Sequence, residues 1–120
     1  DVGDVPLHSA GGQAHGSAAV QAAEEAAARR IFGLLPEAQG RAMLELWREF
    51  EAVATPDAVF AKALDRCQPA VQNLRSGGAG WVEYAVTLAH VEGRVGPWVR
   101  AGSPALWEWL HRGLRGHFAA

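Results

Sequence analysis

The chain has 120 residues and a mass of 12.8 kDa, which suits one small domain with one core. Lys+Arg is 11 and Asp+Glu is 13, a net charge of −2, so no polyanionic partner is expected. The single cysteine excludes an intramolecular disulfide and a Cys-rich zinc site, and no apolar run approaches the roughly 20 residues a bilayer crossing needs. A protein of a reducing compartment, cytoplasmic and without membrane association, is the expectation. The first residue is Asp1 rather than Met, so the chain is expected to be processed or part of a longer polypeptide.

Asp1 to Gly16, DVGDVPLHSAGGQAHG, shows no periodicity and reads as an irregular loop. Ser17 is placed to cap a first helix, in which Val20, Ala23, Ala27, Ile31 and Leu34 recur at helical spacing. A second helix is predicted from Pro36 to Ala54, with Met43, Leu44, Trp47 and Phe50 as its apolar stripe. Thr55-Pro56-Asp57 combines a cap, an N1 proline and an early acid. It starts a third helix whose apolar face is read as Phe60, Leu64, Cys67, Val71 and Leu74, with a kink or break at Pro69.

Ser76 to Gly80 ends that helix, and Trp81 to Ala85 is short and aromatic. Thr87 caps a helix expected to stop near Gly96-Pro97. Ser103-Pro104 opens the last one, with Leu106, Trp107, Leu110 and Leu114 inward and GHFAA as a frayed tail. No strand pattern of useful length occurs. The expected fold is all-α with four to five helices. Residues 1–16 form a loop, 17–75 the helical core and 81–116 the C-terminal helices of a single domain.

Several side chains carry chemistry. No two histidines have the i, i+4 spacing of a helical metal site, so surface or capping roles are expected. Cys67, on an apolar stripe, reads as a buried small hydrophobe. Three of the five tryptophans fall near Arg100, Arg112 and Arg115, a pattern that can stack on bases, but core packing suits most of them better. Asp65 lies off the Phe60/Leu64/Cys67 stripe and shares its side with Ala61, Gln68 and Gln72. Periodicity alone favours a solvated acid on an outer face; the alternative is a carboxylate looking into a second, polar cavity beside small Ala61, suited to a cation or a water nucleophile. Asp1 and Asp4, separated by Val2 and Gly3, could bind a cation, share acid–base work or form a turn.

Two stretches resemble the HD-domain phosphohydrolases, in particular their 5′-deoxynucleotidase-like subgroup. DVGDVP, Asp1 to Pro6, is similar to the segment just after that family's paired His-Asp. TPDAVFAKALDRCQP, Thr55 to Pro69, is similar to its later helix with an aspartate in a Lys-Ala-Leu-Asp context, here Lys62 to Asp65. The stretch from Leu35 to Glu51 and the tail SPALW also fit.

The resemblance implies the C-terminal portion of an α-helical HD domain and metal-dependent hydrolysis of a phosphomonoester, with a nucleoside 5′-monophosphate as substrate. It implies Asp65 as the last metal ligand and Asp4 as an acid near the attacking water or leaving group. The cofactor would be a divalent ion such as manganese, cobalt or magnesium, which activates water and neutralises phosphate charge. No adjacent His-Asp pair occurs in the chain, so the full metal site would need ligands from outside it. A homodimer or a complementary N-terminal polypeptide is the implied partner. The alternative from another class is a catalytically silent helical interaction module.

Overall fold

A computed structural model describes residues 18–120; Ser17 and the stretch holding Asp1, Asp4, His8 and His15 lie outside the described residues. The described residues carry six α-helices and no strand, so the chain is all-α as expected, with one helix more than the expected four to five because Ala79–Glu83 forms a short helix of its own. They fall into two compact units, one ending at Ala52 and one running from Val53 to Ala120.

The first unit is a helical hairpin of α1 (Ala18–Phe32) and α2 (Glu37–Ala52). Arg29 and Arg30 close α1 and Glu37 opens α2, each complementing the local end of a helix dipole. Gly33, Leu34 and Leu35 donate back to the carbonyls of Arg29, Ile31 and Phe32, which satisfies the end of α1 within a short turn. Gly40 is buried because a Cβ there would run into the Phe32 carbonyl oxygen. Arg48 on α2 reaches Glu25 on α1 through Nη2 at 2.5 Å and Nε at 3.1 Å, while Arg29 adds a third bond at 3.0 Å. Glu25 is thereby held below the usual carboxylate range, chiefly by the Arg48 hydrogen bond, and Arg48 is raised by the same contact. The expected apolar stripes are poorly covered here: Ile31, Leu34 and Met43 are exposed, as is Leu46 beside them in sequence.

The second unit contains α3 (Pro56–Arg75), α4 (Ala79–Glu83), α5 (Leu88–Gly102) and α6 (Pro104–Ala119). Its helix starts follow the sequence signals. The Ala58 amide donates to the Thr55 hydroxyl, the Leu106 amide to Ser103, and Thr87 exchanges bonds with His90 in a capping box. The core is built on α5 and α6. Val91, Val95 and Val99, spaced by four, are buried together with Trp107, Leu110 and Leu114. Each fully buried Leu contributes about 1.5–3 kcal/mol of hydrophobic free energy.

Four local expectations are corrected. First, α3 runs unbroken through Pro69, and α5 through Pro97. Both prolines sit on the solvent side, where the carbonyl four residues back can turn to water. Second, α3 does not bury its Phe60–Leu64 side; those residues are 49% and 47% exposed. Its inward face is Ala63, Cys67 and Ala70, because α5 comes close enough at Gly102 to require small partners. Third, the C-terminal GHFAA is not a frayed tail. Helix α6 continues to Ala119, and Phe118 stacks on Trp81 at 5.2 Å between ring centroids. Fourth, only Trp81 and Trp107 are buried; Trp47 is half-buried, and Trp98 and Trp109 are exposed.

Candidate functional site

Asp65 is the candidate residue that the structure places. The Thr55 cap and the first-turn Pro56 fix where α3 starts, and so fix the direction of every side chain after it. At about 100° per residue, Asp65 falls on the far side of the helix from Ala63, Cys67 and Ala70. It is exposed, as are Gln68 and Gln72 on the same side, whose amides join at 3.3 Å. Pro69 adds a local feature: it has no N–H, so the Asp65 carbonyl lacks its regular i+4 helix donor. Asp4, the candidate acid, lies outside the described residues.

The other titratable groups are engaged elsewhere. Cys67 is buried, and burial pushes its thiol above the ordinary value, which suppresses the reactive thiolate. His90 accepts from the Thr87 amide through Nδ1 at 3.2 Å, a capping role. His111 pairs with Glu92 through Nε2 at 2.6 Å and stacks on Trp107, tying α6 to α5. The His117 ring stands 5.3 Å from Trp81, edge to face.

Whether a metal ion fits can be judged from the donors. Among the described residues no group of three or more His, Cys, Asp and Glu side chains gathers as a metal cage. One exposed carboxylate does not hold a catalytic divalent ion, which takes several oxygen or nitrogen ligands. The described residues alone therefore do not fit such an ion.

One residue escaped the sequence reading. Arg66, next to Asp65, turns toward α5 and places its guanidinium carbon 5.7 Å from the Trp98 ring centroid. Its Nε is shielded from solvent and has no hydrogen-bond partner. The only sequence signal was an arginine directly after the candidate acid. Elsewhere in this unit, Val86, Leu88 and Phe118 line an open groove with Arg115 at its edge. Asp65 is not part of it. No helix among the described residues is long and apolar enough to cross a membrane.

Known proteins supply the remaining information. The HD domain family matches residues 1–107. The 5′-deoxynucleotidase HDDC2 of Mus musculus is 41% identical over 49 residues, which is 41% of this chain and 25% of that protein. The Homo sapiens protein of the same name is 41% identical over 49 residues, 24% of its length, and the Bos taurus one 39% identical over the same span. The similarity thus spans about a quarter of these relatives. No solved structure matches at a significant level. Proteins with this domain are generally metal-dependent. Since the match runs through nearly the whole chain, this protein belongs to the HD-domain family.

Proposed function

We propose that the chain forms part of an enzyme that hydrolyses phosphomonoesters, with nucleoside 5′-monophosphates as the substrate class. The observation that supports this is the family match over residues 1–107, joined by the partial similarity to proteins named 5′-deoxynucleotidase. In this reading Asp65 is one ligand of a divalent ion of the manganese, cobalt or magnesium type. The remaining ligands lie outside the described residues. Asp4 is the acid beside the attacking water or leaving group, a role its carboxylate can fill by accepting or returning a proton. The enzyme works in the cytoplasm on a small phosphate ester, as a homodimer or with a complementary N-terminal polypeptide, and engages neither nucleic acid nor membrane.

This chain alone is expected to be inactive, so the test is phosphate release by the complete protein, the outside metal ligands included, from a panel of nucleoside 5′-monophosphates with manganese, cobalt or magnesium added. Asp65→Ala should lower the rate about 100-fold or more, as expected for loss of a metal ligand. Turnover equal to the unsubstituted protein would overturn the assignment.

A second reading, a silent interaction module, is favoured by one observation. Phe60 and Leu64 expose roughly half their surface side by side on α3, and Val82 is 79% exposed. Neighbouring exposed apolar side chains often mark an interface. Sedimentation analysis separates the two: a stable dimer weakened by Leu64→Lys, with no phosphate release under any metal, would favour the module.

A further inference from the structure

Arg66, like Arg100 over Trp107 at 5.5 Å, is held against a ring, and among the described residues it alone encloses an unpartnered side-chain nitrogen. Arg29, Arg41, Arg48 and Arg112 each bond a glutamate. Arg66 has no carboxylate partner among the described residues. It is fixed instead by packing, with its guanidinium over the face of Trp98 and its Nε enclosed. A ring within about 6 Å of the cation attracts it through the ring quadrupole and limits its rotamers. Enclosing a guanidinium N–H without a partner is costly, and a fold that keeps such a group usually gains something from it. The terminal nitrogens carry no partner either and are not closed off from solvent. What results is a half-buried, pre-positioned cation, its donors unused, one residue from Asp65.

A stacked guanidinium has already lost much of the side-chain freedom that ligand binding would otherwise cost. Its planar fork matches two oxygens of a phosphate group, and a charge-assisted bond is the stronger kind. We propose that Arg66, braced on Trp98, binds the phosphate group of the substrate. This rests on the reading of Asp65 as a site residue, but the phosphate contact can be tested without it.

Inorganic phosphate is the probe, titrated without metal into 15N-labelled protein. The enclosed Arg66 Nε–H is expected to exchange slowly enough with water to serve as a reporter alongside the Trp98 indole N–H. Saturable shifts at both are expected. In Arg66→Met the Trp98 response should vanish, and Arg66→Lys, which keeps charge but loses the fork, should restore only part of it.

In turnover of nucleoside 5′-monophosphates by the complete protein, Arg66→Met should raise KM about 10- to 100-fold, with a parallel loss of inhibition by phosphate. Arg66→Met that lowers only the unfolding temperature, with KM unchanged, would show that Arg66 merely joins α3 to α5. Wild-type protein whose Arg66 and Trp98 signals ignore phosphate would also overturn the proposal, even if Arg66→Met fails to fold. Asp65→Asn with undiminished turnover would instead remove the reading of Asp65, leaving the phosphate titration to stand by itself.

Discussion

The Cβ of Ala63 occupies the space that any side chain at Gly102 would enter, so α3 and α5 meet almost backbone to backbone. A Cβ at Gly102 would also lie 2.8 Å from the Val59 carbonyl oxygen and 3.2 Å from the Phe60 Cα. Neither is the end of a flexible side chain. Gly102→Ala should therefore force the helices apart and cost about 1–3 kcal/mol, the usual range for overpacking a tight contact. Urea unfolding followed by circular dichroism measures it. Adding Ala63→Gly should recover part of the loss, because one of the clashing groups is then gone; strict additivity would mean the two residues do not share this space.

The Glu25–Arg48 pair gives the α1–α2 hairpin a pH dependence of defined sign. Glu25 is held below its ordinary value of 4.5, first through the hydrogen bond from Arg48. A carboxyl whose pKa is depressed by folding adds stability that is complete above the unfolded value and lost as pH falls through the lower, folded value. The difference in stability between the native protein and Glu25→Gln should thus be constant from neutral pH down to about pH 5 and then shrink with further acidification. High salt should shrink it at neutral pH too, since the pair is largely solvent-exposed. A gap that widens in acid would contradict this.

The contact between Trp81 and Phe118 makes the last residues part of the core. Phe118 stacks on the indole, and the His117 ring lies close over Gly78, where a Cβ would come within 2.5 Å of Nε2. Gly78 has φ of +76°, which suits a residue without a side chain in the turn before α4. Ending the chain at Gly116 should expose Trp81 and shift its emission to the red, with a loss of about 2–4 kcal/mol, near that of truncating a buried aromatic. An unchanged spectrum would mean the end of α6 is not docked.

These contacts show which parts of the fold were legible in the sequence. Helix starts were, because a cap is a local bond between a hydroxyl and an amide three residues on, as at Thr55, Thr87 and Ser103. The inward face of α3 was legible only in part: Cys67 lies on it, whereas Phe60 and Leu64 do not. Hydropathy favours Phe60 and Leu64, but the close approach of Gly102 selects Ala63, and that depends on a partner 39 positions away. Pro69 does not divide α3 and Pro97 does not end α5, because on the solvent side the carbonyl left without a donor can turn to water. The end of α6 needs Trp81, a residue no local pattern connects to Phe118. The candidate Asp65 stands out in the sequence only through the resemblance carried by its Lys-Ala-Leu-Asp context, whereas Arg66 is distinguished only by packing on Trp98.

Asp65 itself permits an unusually clean separation of function from stability. It is exposed, no hydrogen bond or ion pair engages its carboxylate among the described residues, and it lies opposite the Ala63–Cys67–Ala70 face. Replacing such a residue normally changes stability by no more than about 0.5 kcal/mol. Asp65→Ala should then keep the helical circular-dichroism spectrum and the unfolding midpoint while phosphate release by the complete protein falls about 100-fold. Gln68→Ala, on the same exposed side, serves as the control and should alter neither quantity, because among the described residues its amide bonds only Gln72. If both substitutions left turnover intact, the exposed side of α3 would be ordinary solvated surface. If Asp65→Ala lowered stability by several kcal/mol, its carboxylate would have to be anchoring the fold, and the loss of activity would say nothing about a metal ligand.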